Sequence, residues 1–323
     1  MRNKRFTRAI LGIAACTLVA QQGALAQGFP NRPIKVGVIS APGVASDTIM
    51  RIVAQDLTEQ MKVPIIIENR PGANGSLVSE AVAKSPPDGY SLVLGTISTH
   101  ALNSALFPNL PYDPVRDFEA VAFVTYNPSV IVANAREPFR SFAELIAYAR
   151  THPGKVSYGT SNSTTLLAGE TIKAMAGINM VAVPYKTTQQ AVTDVVSGQI
   201  AVIIAEALLV NPHVKSGKLN VLASNSASPA ALYPNAPPVA ATFPGFHLSA
   251  WFGLFAPAGT PQPILNVLAA EVQRSLQKPA TRARLEQLGF EMASMTRAEF
   301  GAFVRAEKER WGKRIKELGI EAQ

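Results

Sequence analysis

The pattern of apolar and polar residues in segment 34–61 predicts a strand, a glycine loop and a helix. Residues 34–39 form a short apolar run rich in β-branched side chains, which favours a strand. A turn at 40–43, with the sequence SAPG, ends this run. Apolar residues then recur every four positions from Ile49 to Met61, which is the spacing of one helix face. The segment therefore predicts the first strand–loop–helix unit of an α/β fold.

The start of this helix is a candidate binding site for an anion. Ser46 or Asp47 is expected to cap the helix. A helix that begins just beyond the carboxyl end of a strand directs free backbone N–H groups, and the positive end of its dipole, into the crevice above the sheet. A carboxylate can bind there without an arginine. An ordinary strand-to-helix turn explains the same pattern equally well.

Strand-like and helix-like segments alternate through the rest of the chain, which implies parallel, doubly wound sheets. The 323 residues allow two domains of about 150 residues each. Two strand-like runs flank Asn127-Pro128, which we interpret as a crossing between domains, and a strand at 250–256 returns the chain to the first domain. We expect residues 27–126 and 249–323 to form one domain, and residues 127–248 to form the other.

Further polar residues follow predicted strands and are expected to face the same crevice. The first group follows the strand at 91–96, and it includes His100, which either orients a ligand or makes a structural hydrogen bond. A second strand-loop-helix unit carries the small polar residues of segment 159–165. Glu206 follows the apolar run 200–205. Its carboxylate either binds an ammonium or hydroxyl group of a ligand, or has no role in binding.

The first 26 residues predict an export signal. Four basic residues precede an apolar run at 9–20, and Ala24-Leu25-Ala26 provides a cleavage site after Ala26. Cys16, the only cysteine, lies in a segment that also resembles a lipoprotein cleavage box, so a lipid-anchored form is the alternative. Cleavage removes four of the 30 basic residues and none of the 22 acidic ones, and the weak remaining charge does not indicate a nucleic-acid partner.

The sequence offers little for catalysis or for a cofactor. It has no G-x-S-x-G elbow, and no two histidines have the spacing of metal ligands. Phosphate-binding patterns of the G-x-x-x-x-G-K-[ST] and G-x-G-x-x-G types are also missing. His152, His213 and His247 lie among prolines or in surface-like turns. We therefore expect a binding protein with no cofactor and no metal site.

Many short segments, in one order along nearly the whole mature chain, resemble the Bug family, the periplasmic substrate-binding receptors of tripartite tricarboxylate transporters. The segments in the first half are Phe29-Pro30-Asn31-Arg32-Pro33-Ile34, Ala41-Pro42-Gly43 with Asp47, Ile67-Glu68-Asn69-Arg70-Pro71-Gly72-Ala73, Pro87-Asp88-Gly89-Tyr90, Leu110-Pro111-Tyr112-Asp113-Pro114 and Asp117-Phe118. Those in the second half are Ser157-Tyr158-Gly159, Val183-Pro184-Tyr185-Lys186, Val214-Lys215-Ser216-Gly217-Lys218-Leu219, Ala256-Pro257-Ala258-Gly259-Thr260-Pro261 and Glu309-Arg310-Trp311.

The resemblance implies two doubly wound α/β domains, joined by crossing strands, that close on a small ligand like a flytrap. It implies a periplasmic, monomeric receptor that passes a small carboxylate to membrane transporter subunits. In this family, backbone amides, hydroxyls and water hold the ligand, usually without arginine. Carried over to this chain, one wall of the site comprises Ser40, Pro42, Gly43, Asp47, Thr96, Ser98, His100 and Asn103. The facing wall comprises Gly159, Thr160, Ser161, Ser163, Thr164, Thr165, Tyr185 and Glu206.

Three residues depart from the family pattern near the expected site. Val44 stands where a second glycine is usual, and Thr187 replaces the glycine that usually follows the Pro-Tyr-Lys motif. Glu206 occupies a place where a shorter acid or a small residue is more usual. These larger side chains imply a smaller or differently shaped ligand, or a site that no longer binds the common dicarboxylates. Two other functions stay open: a ligand sensor for a membrane kinase, and a periplasmic enzyme that uses Glu206 or His100 as a base.

Overall fold

The structure, a computed structural model, describes residues 28–225, 229–246, 248 and 250–320, which form two α/β domains. The predicted export signal, with Cys16, lies outside the described residues, and so does His247. Each domain has a five-stranded sheet in the described part of the chain. In the first sheet, Val93 packs into one apolar cluster, and Leu92 and Leu94 pack into another, so both faces of the sheet are covered.

The described residues contain ten strands and eleven α-helices. The strands are β1 (Ile34–Val38), β2 (Ile65–Asn69), β3 (Ser91–Thr96), β4 (Phe118–Asn127), β5 (Ser129–Asn134), β6 (Ser157–Thr160), β7 (Val181–Pro184), β8 (Val202–Glu206), β9 (Leu219–Ser224) and β10 (Ala250–Pro257). The α-helices are α1 (Ala45–Met61), α2 (Ser76–Ala83), α3 (Asn103–Leu106), α4 (Phe142–Thr151), α5 (Ser163–Ala176), α6 (Thr188–Ser197), α7 (Ala207–Lys215), α8 (Val239–Thr242), α9 (Gln262–Gln277), α10 (Pro279–Gln287) and α11 (Arg297–Glu317). A 3₁₀ turn (Ala73–Gly75) precedes α2, and a π-helical turn (Ser98–Leu102) precedes α3.

Both sheets are mixed, whereas the alternation of strands and helices predicted parallel ones. The strand order is β2-β1-β3-β10-β4 in the first sheet and β7-β6-β8-β5-β9 in the second. β10 runs antiparallel to both its neighbours, and so does β5. The reason is the crossing of the chain, because a strand that enters a sheet from the cleft must run against the strands that end there.

The predicted crossing at Asn127-Pro128 is confirmed. β4 ends at Asn127 in the first sheet, and β5 begins at Ser129 in the second. The return is also confirmed, because β9 belongs to the second sheet and β10 to the first. Two connections between the sheets are the arrangement in which a hinge motion can open and close a cleft.

Local capping signals determine where several helices start. Helix α11 starts with a capping box: Thr296 Oγ1 accepts from Glu299 N at 3.2 Å, and Glu299 Oε2 accepts from Thr296 N at 2.7 Å. The cap expected at α1 is wrong. This helix begins at Ala45, its N-cap is Val44 without a side-chain hydrogen bond, and Ser46 and Asp47 lie in its first turn.

Helix α11 connects the first sheet to the region between the domains. It packs against β4 and against the π-helical turn. Glu307 of α11 is buried, and its Oε2 accepts from Trp251 Nε1 at 3.4 Å and from Trp311 Nε1 at 3.1 Å. Trp251 belongs to β10, so this carboxylate fixes the C-terminal helix against the returning strand. Among the described residues, no helix combines the length and the apolar character that a membrane span requires.

Candidate functional site

A cavity with about 110 Å³ of space for water-sized molecules lies between the two domains. Its walls come from loops of both domains, and its floor comes from the segments that cross between them and from the end of β8, which lies beside the first crossing. The floor is formed by Asn127, Ser129, Ile204, Ala205, Glu206, Ala250, Trp251 and Phe252. A cavity of this size suits a small molecule rather than a polymer.

Four helix N-termini lie in the walls of the cavity, and that of α7, whose N-cap is Glu206, lies at its floor. Helices α1, α2, α5 and α6 each begin shortly after the carboxyl end of a strand, and residues at or just before their starts line the cavity. The positive ends of the helix dipoles, and the first-turn backbone N–H groups that side-chain caps do not occupy, therefore point toward the same space. Of the described residues, those lining the cavity include no arginine, and the charged ones are Lys186 and Glu206. This arrangement favours an anion and supplies mostly backbone donors for it.

The loop before α1 is positioned by Asp47, which does not line the cavity. Asp47 Oδ2 accepts from Gly43 N and Arg51 Nε, both at 2.9 Å, and its Oδ1 accepts from Asn69 Nδ2 at 2.9 Å. Burial opposes ionisation of this carboxyl, but the hydrogen bonds from Arg51, Gly43 and Asn69 outweigh burial and lower the pKa of Asp47. Asp47 is thus a positioning residue for the loop, a role that the sequence alone did not reveal.

Of the remaining loop residues, Ser40 faces the cavity, while Pro42 and Gly43 are exposed and lie outside its lining. The Ser40 hydroxyl lies 2.6 Å from that of Ser46, which also lines the cavity. Val44, one of the departures from the family pattern, is buried and contributes its side chain to the cavity wall. It narrows the space that a glycine would leave open.

At the end of β3 and in the segment after it, some residues line the cavity and others join the two domains. Thr96 and Ser98 line the cavity. Ser98 Oγ lies 2.8 Å from Thr164 Oγ1 of the second domain. Asn103 lies outside the lining, and its Oδ1 accepts from Ser163 Oγ at 2.6 Å. We call these two pairs, Ser98–Thr164 and Ser163–Asn103, the interdomain latch, because each joins residues of different domains.

The structure places His100 in the core and not in the crevice, which corrects the sequence prediction. The imidazole is fully buried and stacks on Phe255 with ring centroids 3.7 Å apart. Its Nδ1 lies 2.9 Å from Thr99 Oγ1, and burial lowers the pKa of His100 to about 3. The turn at Ser98–Leu102 is helical, so it directs Ser98 toward the cavity and His100 toward the sheet.

The second-domain wall is formed by the loops before α5 and α6. Ser161, Thr164 and Thr165 line the cavity, as predicted for this loop. The Ser161 hydroxyl lies 2.9 Å from Thr188 Oγ1. The Thr165 hydroxyl is committed to capping α5, since it accepts from Ser161 N at 3.1 Å and from Asn162 N at 3.3 Å.

Four predicted residues of this domain lie behind the wall. Gly159 and Thr160 belong to β6, Tyr185 follows β7, and Ser163 takes part in the latch; none of them lines the cavity. The Tyr185 hydroxyl donates to Asp194 Oδ2 at 2.8 Å. Burial, and then Asp194, raise the pKa of Tyr185 to about 12. These residues support the wall rather than face the space inside it.

Glu206 lines the cavity at its floor, and not in the second-domain wall where the resemblance placed it. It ends β8, pairs with Ser129 of the crossing segment, and immediately precedes α7. Its Oε2 is buried and has no hydrogen-bond partner among the described residues. Burial raises the pKa of Glu206 above its usual value.

Sequence reasoning identified Glu206 but missed the rest of the floor and part of the walls. Asn127, Ser129 and Trp251 come together only because the chain crosses twice between the sheets. The predicted crossing at Asn127-Pro128 was a usable signal for the first two. Nothing local marks Trp251, which reads as an ordinary core residue of a strand. Among the described residues, no group of three or more His, Cys, Asp or Glu side chains is placed to hold a metal ion.

Comparisons with known proteins agree with this geometry. The family described as "Tripartite tricarboxylate transporter family receptor" matches residues 49–320. BugT of Bordetella pertussis is 31% identical over 315 residues, which cover 96% of this chain and 97% of BugT. The structure of R. palustris Rpa4515 with adipate is 31% identical, with a TM-score of 0.87 and coverage of 91% of this chain and 100% of that one.

MatC from Rhodopseudomonas palustris, solved with bound malate, is 30% identical, with a TM-score of 0.82 and coverage of 88% of this chain and 99% of that one. Three observations point to the same family: the two α/β domains around a cleft, the four helix N-termini in the cavity walls, and the family match over most of the chain. The chain belongs to the family of tripartite tricarboxylate transporter receptors, and it is a solute-binding receptor.

Proposed function

We propose that the cavity binds one small carboxylate and that the protein delivers it to membrane transporter subunits. The convergence of four helix N-termini, without an arginine among the described lining residues, is the observation that carries this proposal. Backbone N–H groups and hydroxyls can satisfy a carboxylate by charge-assisted hydrogen bonds of about 1.5–3 kcal/mol each. The adipate and malate bound to the two R. palustris neighbours support this ligand class.

Binding is coupled to closure of the two domains. Because the walls come from different domains, a ligand that contacts both walls binds the closed form better than the open form. The interdomain latch adds protein–protein hydrogen bonds to the same form. Rotation occurs about the two crossings, near Pro128 and before Ala250. We place the domains at residues 27–126 with 249–323, and at residues 127–248.

The same proposal covers the setting in which the protein works. Receptors of this family are periplasmic, and we infer export with cleavage after Ala26. We infer that the receptor is a monomer and that the bound acid leaves chemically unchanged. His100 is buried in the core, outside the cavity lining, so it cannot act as a base on a ligand there. Mass spectrometry of an acid recovered after prolonged incubation tests the absence of turnover.

The test is calorimetric titration of the mature protein with a panel of small acids, after refolding to remove any ligand that co-purifies. We expect one acid to bind with a micromolar dissociation constant, which corresponds to about −8 kcal/mol. The sequence has two tryptophans, and Trp251 lines the cavity. In a Trp311→Phe variant, the tryptophan fluorescence therefore comes from Trp251 alone and reports ligand binding. A protein that binds no carboxylate, by heat or by fluorescence, refutes the proposal.

A further inference from the structure

We propose that Glu206 selects acids that carry an ammonium group at the end opposite their carboxylate. The inference rests on the proposed function, because it assumes that a carboxylate enters this cavity. It goes further by naming the ligand class as a small amino acid zwitterion. Glu206 is then a specificity-determining residue that contacts the ligand's ammonium.

The position of Glu206 separates it from the anion-binding walls. It lies on the cavity floor, beside Ser129 of the crossing segment. The starts of α1, α2, α5 and α6 form the walls. A ligand whose carboxylate binds to the wall therefore presents another part of its structure to the floor.

Glu206 Oε2 lacks a partner that the protein supplies. The atom is buried, and none of the described residues donates a hydrogen bond to it. Lys186, the other charged residue of the lining, has an exposed position on the second-domain wall and does not donate to Glu206 Oε2. Leaving a buried carboxyl oxygen without a donor is costly, and a donor that arrives with the ligand removes that cost.

The chemistry of the floor discriminates between two classes of acid. A second carboxylate placed against Glu206 meets a like charge or must share a proton with it. An ammonium group meets an unpaired acceptor of opposite charge. Burial raises the pKa of Glu206, and an adjacent ammonium group would restore its ionisation. The zwitterion is therefore favoured over the dicarboxylate of equal length.

The experiment compares matched ligand pairs in which an aminomethyl group replaces one carboxylate. The pairs are succinate with 4-aminobutanoate, glutarate with 5-aminopentanoate, and adipate with 6-aminohexanoate; aspartate is added beside succinate. Titration calorimetry at neutral pH gives the ratio of dissociation constants within each pair. We expect the wild type to prefer the zwitterion about 10-fold or more in the pair whose length fits.

The variant Glu206→Gln keeps the size of the side chain and supplies an amide that can donate to a carboxylate. We expect it to lose the preference or to reverse it, while Glu309→Gln, at an exposed position of α11, leaves the ratio unchanged. The thermal unfolding midpoint of ligand-free Glu206→Gln should equal or exceed that of the wild type, because the unpaired buried carboxyl is gone. This second readout shows that the variant is folded.

The outcomes separate this inference from the proposed function. If carboxylates bind but Glu206→Gln keeps the wild-type ratio, the role of Glu206 is refuted and the receptor function stands. A wild type that prefers dicarboxylates over their zwitterionic partners also refutes it. If no acid of the panel binds to the wild type, both proposals fail.

Discussion

The substitution Ser163→Ala tests whether the interdomain latch contributes to ligand affinity. In the closed form, Ser163 Oγ donates to Asn103 Oδ1 at 2.6 Å, and both residues are buried, with 2% and 0% exposure. Neither residue lines the cavity. The alanine removes the donor and leaves Asn103 Oδ1 buried without it, while an open form lets water satisfy that oxygen.

The magnitude follows from the cost of an unsatisfied buried acceptor, about 1–3 kcal/mol. This cost falls on the closed form alone, so it shifts the equilibrium between the two forms by the same amount. When most of the ligand-free protein is in the open form, the apparent dissociation constant of Ser163→Ala should exceed that of the wild type by about 5- to 150-fold. Ligand contacts are unchanged, so the order of preference among acids should be preserved.

Titration calorimetry of Ser163→Ala with the best acid measures this effect. Ser197→Ala is the control, because the exposed Ser197 hydroxyl donates to Asp194 O within its own helix. Asn103 makes a second hydrogen bond, in which its Nδ2 donates to Asn74 O at 3.0 Å. A double-mutant cycle of Ser163→Ala with Asn103→Ala therefore isolates the interaction energy of the Ser163–Asn103 pair. An affinity within twofold of the wild type would show that the latch does not bias closure.

Four further substitutions test the site and the core. Thr165→Ala should lower the free energy of unfolding by about 0.5–2 kcal/mol, because the Thr165 hydroxyl caps α5. Ser161→Ala should weaken ligand binding and leave the free energy of unfolding unchanged. Urea titration measures stability and calorimetry measures binding; equal losses of stability in the two variants would contradict the capping role of Thr165. Val44→Gly should enlarge the cavity and shift the preference toward longer acids; an unchanged dependence of affinity on acid length would contradict the wall position of Val44. The pKa of His100 is lowered to about 3, whereas an unfolded histidine has a pKa of about 6.5. The unfolded chain therefore binds a proton that the folded protein does not, and the free energy of unfolding should fall as pH decreases from about 6.5 toward 3, by up to about 1.4 kcal/mol per pH unit. Urea titrations at several pH values should give a shallower fall for His100→Gln than for the wild type, while the exposed His152→Gln keeps the wild-type slope.

The sequence was sufficient for the order of elements and for the crossings. Apolar periodicity located the strand at 91–96, and Asn127-Pro128 marked the change of sheet. It was insufficient for strand direction, because β5 and β10 look like any other buried strand until the crossing of the chain is taken into account. Direction depends on which side of a sheet the chain enters, and that is a property of the whole topology.

For the site, sequence reasoning located the loops but not the direction of each side chain. Ser98 and His100 are two residues apart, yet the helical turn sends one to the cavity and the other to the core. The family resemblance placed Asp47 and Thr165 among the ligand-binding residues; the structure shows that their side chains accept hydrogen bonds from backbone groups of their own loops. Small polar residues at a helix N-terminus serve either purpose, and only the three-dimensional contacts decide between them.

The floor of the cavity lies at the crossing segments and at the end of β8 beside them, so the floor and the latch should control different rates. Under the proposed rotation about the crossings, the walls move farther than the floor, because the floor lies next to the hinge. An arriving molecule therefore meets Glu206 and Trp251 while the cleft is still open, and it meets the latch residues only afterwards. We expect changes at the floor to alter which solute is retained at first encounter, and changes in the latch to alter how long a retained solute waits before it escapes. Stopped-flow fluorescence distinguishes the two through the association and dissociation rates.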